Sequence, residues 1–241
     1  MVQERRTLTI DNLQLFISHL SASSESSHSY NNYLFIAMLF TGFFGLLQLN
    51  ELSSPDDNLN LPLAQDWGKV IRRSTVATSK SQFKFLLPGH STSKAIDFFE
   101  GNCIVLISAT GFLPGRVVLV HHDVAIQHFL MYLSKQDALH SLHPVDSPLW
   151  LTEAGLVPTR SFFMSYFHQF FPEDIGVQSM RAGGARWLAE NGVSPLLIKD
   201  SACWASGTEF QIYTQYNPTG LLHTSSTNPD AVTNASHVNL D

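Results

Sequence analysis

Apolar positions recur along this chain with two different periods. Between residues 7 and 20, Leu13, Phe16, Ile17 and Leu20 fall on one face of a 3.6-residue repeat, with Thr9 or Asp11 available as the N-cap, which predicts a helix. The serine-rich run 21–29 reads as a loop. From Tyr33 to Glu51 the chain is almost wholly apolar, which predicts one helix buried on all sides. Ser53-Ser54-Pro55-Asp56-Asp57 ends it, because proline lacks the amide donor and aspartate competes for backbone hydrogen bonds. The apolar stretch approaches membrane-spanning length, but Thr41, Gln48, two glycines, the lack of basic flanks and the adjacent Glu51 favour a core helix.

Between 64 and 87 the period shortens. Val70, Ile71 and Val76 come first, and then Phe83, Phe85 and Leu87 alternate with Gln82 and Lys84, which predicts strands ending at Pro88-Gly89. Cys103–Ile107 reads as a second strand, so 81–107 is expected to be two strands joined by a loop that carries Lys94. Val118–Val120 fits either a further strand or an insertion. Helices follow over Ile126–Leu133, from a Thr159 cap through Phe162, Phe163, Tyr166 and Phe167 to Phe171, over Met180–Glu190 with Gly192 as its stop, from Ser194-Pro195, and around Phe210–Gln215. The expected fold class is a mostly helical α+β domain with a small antiparallel sheet. The segment 219–241 is Ser-, Thr- and Asn-rich without periodicity and is expected to be disordered.

Composition narrows the chemistry. The 241 residues are 44% hydrophobic and 14% charged, a globular balance. Cys103 and Cys203 are far apart and form no Cys-x-x-Cys or Cys/His spacing, so neither a disulfide framework nor a zinc site is expected. The N-terminal residues 1–9 lead into no apolar run with a small-residue cleavage site, so no secretory signal is expected. His121-His122, Asp123 and His128 make a weak metal candidate, because adjacent residues in an extended run point to opposite faces. Neither a Gly-x-x-x-x-Gly-Lys phosphate loop nor a Gly-x-Gly-x-x-Gly turn is present. The formal net charge is −6, which argues against strong nonspecific DNA binding while allowing a basic cleft.

The chemistry-bearing pattern is in the last third: Gln178-Ser179-Met180-Arg181-Ala182-Gly183-Gly184-Ala185, then Trp204, then Phe210-Gln211-Ile212-Tyr213, with offsets of 23 and 9 residues from arginine to tryptophan to tyrosine. An arginine offers a planar fork to a phosphate, and a tyrosine can hold a phosphoryl group covalently. This order and spacing resemble the tyrosine recombinase (phage-integrase) family, and the words Arg-Ala-Gly-Gly-Ala and Phe-Gln-Ile-Tyr resemble the integrase-like proteins of basidiomycete fungi, some of them transposon-derived. The resemblance covers roughly residues 7–218, and the catalytic domain is expected over 1–218 with the family's N-terminal DNA-clamping domain absent.

The resemblance implies roles. Tyr213 would be the nucleophile, Arg181 the phosphate clamp, Trp204 its support and Lys94, in the hairpin, the general acid, a role that Lys84 or Lys80 could take in its place. Thr41–Leu52 resembles the family's first-arginine helix, in which Glu51 matches the supporting acid but Gln48 stands where the arginine belongs. Gln178 stands at the family's histidine. A neutral amide at 48 forgoes a charged donor worth on the order of 3 kcal/mol in the transition state, and Gln178 cannot exchange a proton near neutral pH. DNA is the implied partner, bound weakly or within a cleft, by a homo-oligomer, with no membrane, no metal and no cofactor, in the nucleus. The alternatives are an inactive relic or domesticated DNA-binding module without turnover, and an unrelated α-rich interaction protein in which the spacing is coincidence.

Overall fold

A computed structural model describes residues 6–22, 29–56, 70–88, 106–108, 111–113, 115–140, 147–202 and 204. Helix α1 (Ile10–Ala22) opens at Thr9, whose hydroxyl accepts from the Asn12 amide at 3.3 Å while Asn12 Oδ1 accepts from the Thr9 amide at 3.0 Å. Of the two caps the sequence offered, Thr9 is the one used. Leu13 and Phe16 are buried, and Ile17 and Leu20 pack against the same core from its rim.

The apolar run forms the central helix α2 (Tyr30–Phe44), capped by Ser29, with every residue from Tyr33 to Phe44 buried. It does not continue to Glu51 as expected. Leu46 adopts a left-handed φ of 55°, its amide donates to Phe43 O at 3.4 Å, and the Leu47 amide donates to Gly42 O at 2.9 Å. Those two bonds are a Schellman stop, which periodicity alone does not reveal because leucine stands where glycine is usual. The chain restarts as a single turn, α3 (Leu49–Leu52), with Gln48 at its N-cap.

After a 3-10 turn (Arg73–Thr75), strands β1 (Ala77–Thr78), β2 (Phe83–Pro88) and β5 (Gly115–Val120) form an antiparallel sheet in the order β1-β2-β5. The expected pairing of 81–88 with 103–107 is not the one formed. Strand β2 pairs with β5, from Phe83 opposite Val120 to Pro88 opposite Gly115, while β3 (Leu106–Ser108) pairs with β4 (Gly111–Leu113) in a separate two-stranded sheet. Register explains the choice: Phe83 and Phe85 lie opposite Val120 and Val118, all four buried, so both strands turn one apolar face to the core. The undecided segment Val118–Val120 is therefore a strand. Ile71 is buried but not in a strand; its carbonyl accepts from the Leu149 amide at 2.8 Å.

Helix α4 (Asp123–Leu139) runs past both ends of the expected Ile126–Leu133 and packs along α2. Its buried Tyr132 donates to Leu149 O at 2.9 Å and accepts from the Leu151 amide at 3.0 Å, and Gln136 donates to Leu149 O at 2.9 Å. Burial raises the Tyr132 pKa well above its ordinary value, so the phenol stays neutral. Helix α5 (Arg160–Phe170) begins at the expected Thr159 cap, which accepts from the Phe162 amide at 3.2 Å. Helices α6 (Ser179–Glu190) and α7 (Pro195–Ala202) follow, the first stopped at Gly192 with φ 79° and the second capped by Ser194. The architecture is the expected α+β, mostly helical, with a small antiparallel sheet. The helix expected around Phe210–Gln215, the segment 219–241, Cys103 and Cys203 lie outside the described residues.

Candidate functional site

The Arg181 helix is set by two glycines. A Cβ on Gly184 would lie 1.9 Å from Phe43 O, and one on Gly183 would lie 1.9 Å from Leu8 O. Helix α6 therefore touches the backbone of α2 and of the segment before α1, an approach that any larger residue would prevent. The Ser179 hydroxyl accepts from the Leu8 amide at 2.9 Å and fixes the first turn of α6 to the same segment. This docking buries Arg181 to 8% exposure. Its guanidinium carbon stands 5.4 Å from the centre of the Trp204 ring.

Trp204 is buried in a small cluster with Leu46, Ala185, Ile198 and Ala202, and its amide donates to Lys199 O at 3.1 Å. Leu46, two residues before Gln48, thus joins the α2–α3 turn to the Trp204 corner. In that turn Glu51 Oε2 accepts from the Gln48 amide at 2.6 Å, and Glu51 Oε1 lies 3.8 Å from Nη2 of Arg116. Arg116, on β5 opposite Leu87, is 4% exposed, and its Nη1 donates to the carbonyl of Ser201 at the end of α7. A cation there is favourable, since the last carbonyls of a helix carry partial negative charge.

The structure brings Arg181 and Trp204 together and sets Gln48 and Glu51 in one turn beside them. The side chain at 48 is exposed although its neighbours Leu47 and Leu49 are buried. Gln178, also exposed, is the N-cap of α6, three residues before Arg181 and so near its face of the helix. Lys94 and Tyr213 lie outside the described residues. Sequence reasoning missed Arg116. A lone arginine opening the apolar run Val117–Val120 was the available signal, because a charge at the head of a core strand needs a partner.

Two histidines of the metal candidate pack against aromatic rings. His122 stacks on Phe44 at 3.8 Å with Trp187 edge-on at 5.3 Å, and His128 stacks on Phe40 at 5.2 Å. Burial lowers both histidine pKa values. Among the described residues no group of three or more His, Cys, Asp or Glu could hold a metal ion, and no helix is long and apolar enough to cross a membrane. A cleft of about 160 Å³ lined by Leu8, Asp11, Gly183, Arg186 and Glu190 opens on the side of α6 turned away from Arg181.

No family model matches the chain, and no curated protein matches it in sequence. Solved structures do. A XerH site-specific recombinase bound to palindromic difH substrate, in a post-cleavage complex, superposes with TM-score 0.59 at 13% identity, over 93% of this chain and 53% of that one. The fold is that of a tyrosine recombinase catalytic domain. The pre-cleavage XerH complex gives 0.58 at 14% over 94% and 56%, and XerA recombinase gives 0.58 at 15% over 90% and 63%. The chain thus spans little more than half to under two thirds of these recombinases.

Proposed function

We infer that this protein is a DNA breaking-and-rejoining protein of the tyrosine recombinase type, slowed by the glutamines at 48 and 178. The observation that supports it is Arg181 buried against Trp204 on a helix whose docking leaves no room for adjustment, beside the turn that holds Gln48 and Glu51. In the reaction the Tyr213 hydroxyl gives up its proton to solvent as its oxygen attacks the phosphorus of a DNA phosphodiester, the bond to the 5′-oxygen breaks, and that oxygen takes a proton from Lys94. The phosphotyrosine conserves the bond energy, so attack by a 5′-hydroxyl reverses the step and joins strands. Arg181 holds the phosphate oxygens through two parallel N–H donors. Paired sites require more than one protomer on DNA.

Trapping on nicked suicide substrates drawn from a sequence pool tests this. The expected result is a covalent adduct, weak with the wild-type protein, stronger with Gln48→Arg combined with Gln178→His, and absent with Tyr213→Phe. An adduct formed by Tyr213→Phe would remove the nucleophile assignment. A second reading, a DNA-binding module without turnover, is favoured by the exposed neutral side chain at 48, and it predicts an adduct from the double variant alone.

A further inference from the structure

Arg116 has more donors than acceptors. Of its five N–H groups, one on Nη1 reaches Ser201 O. Nε and Nη2 make no hydrogen bond among the described residues, although the side chain is only 4% exposed; the Glu51 oxygen at 3.8 Å from Nη2 is an ion-pair partner beyond hydrogen-bond reach. Buried donors left open are costly, and a guanidinium is held in such a place where an anion can complete it.

Arg116 touches the α3 turn through Glu51 and the end of α7 through Ser201, three residues before Trp204, and Trp204 is the residue against which Arg181 packs. Both arginines are thus tied to the end of α7 and the residues just after it, Arg116 through the Ser201 carbonyl and Arg181 through the Trp204 ring, and both are largely buried. We propose that Arg116, reaching the site from strand β5, supplies the second guanidinium for the DNA phosphodiester in place of the neutral Gln48, with Glu51 holding it in reserve until the phosphate arrives. This rests on the recombinase reading of the site.

The two ends of the ion pair give opposite signs. With short duplexes of randomised sequence as the probe and fluorescence anisotropy as the readout, Arg116→Gln is expected to weaken binding about tenfold. The slope of log affinity against log salt should also fall by about 0.9, the loss of one phosphate contact. Glu51→Gln leaves the guanidinium in place without its competing carboxylate and is expected to tighten binding several-fold, which a purely structural ion pair would not do. If either variant does not fold, Arg116→Lys, which keeps the charge beside Glu51 but loses the paired donors, decides in its place: weaker binding at an unchanged salt slope is expected, and unchanged binding overturns the proposal. Weaker or unchanged binding by folded Glu51→Gln, or an unchanged salt slope in folded Arg116→Gln while Arg181→Gln lowers it, overturns the proposal and leaves the recombinase reading standing. Absence of salt-dependent binding by the wild-type protein overturns both.

Discussion

Replacing Gly184 with alanine tests whether Arg181 is positioned by a backbone-to-backbone contact. The new methyl would sit 1.9 Å from Phe43 O, whereas real Cβ atoms essentially never come within 3.0 Å of such an atom. Helix α6 or α2 must retreat by at least about 1 Å, and the obstacle is main chain inside the fully buried α2, not a side chain that can rotate. Overpacking of this kind costs about 1–3 kcal/mol. Against it stands the helix propensity of alanine over glycine, about 1 kcal/mol in favour of the variant. The steric term is at least as large as the propensity term, and the net expectation is a destabilisation of up to about 2 kcal/mol. Urea unfolding followed by circular dichroism reads it as a lower midpoint at constant slope. On the recombinase reading proposed above, a retreat of α6 by about 1 Å would displace Arg181 and lower the rate of adduct formation on the order of a hundredfold. A midpoint that rises, as glycine-to-alanine changes do in unobstructed helices, would refute the close-contact argument.

Three further outcomes are expected. Thr159→Ala removes the acceptor of the Phe162 amide at the start of α5 and should cost about 1 kcal/mol in the same urea assay, whereas Thr159→Ser should cost little. Leu46→Ala empties a buried position in the Trp204 cluster and should cost about 2–4 kcal/mol, with a change in tryptophan fluorescence that a remote core truncation would not give. His122 and His128 have folded-state pKa values below the ordinary histidine value of about 6.5, so the unfolded chain binds protons first as pH falls. Their contribution to stability is therefore present above about pH 6.5 and is lost on acidification through the lowered folded values. Unfolding midpoints measured across that window should fall toward low pH, and replacing both residues with phenylalanine should flatten the profile.

Most elements were legible because one-dimensional pattern decides them. The Thr159 cap, the Gly192 stop and the Ser194-Pro195 start are local chemistry, and each is formed as read. What was not legible depends on partners distant in sequence. The break at Gly45–Leu46 uses a leucine in a left-handed conformation, tolerated because its side chain is buried among Ala185, Ile198 and Trp204. Strand β2 selects β5 rather than 103–107 because Val118 and Val120 complete the face begun by Phe83 and Phe85, a register that neither strand reveals alone. The site divides in the same way. The contact of Arg181 with Trp204 joins two residues that the spacing singled out, while Arg116 lies 65 residues from Glu51 along the chain and was visible only as an arginine out of place.

Glu51 is weaker evidence for catalysis than its place in the motif suggests. Its carboxylate accepts from the Gln48 amide, which caps the α3 turn, and it offsets the charge of the buried Arg116. Removing it would leave a guanidinium in the interior without its counter-charge, a loss on the order of 3–5 kcal/mol where the pair is fully buried. Folding alone is thus reason enough for an acid at 51, whether or not any arginine stands at 48. Gln48 differs in that its side chain is exposed while its backbone amide serves the turn. A change of side chain at 48 leaves the bond from the backbone amide to Glu51 available, so Gln48→Arg is expected to enter an intact turn.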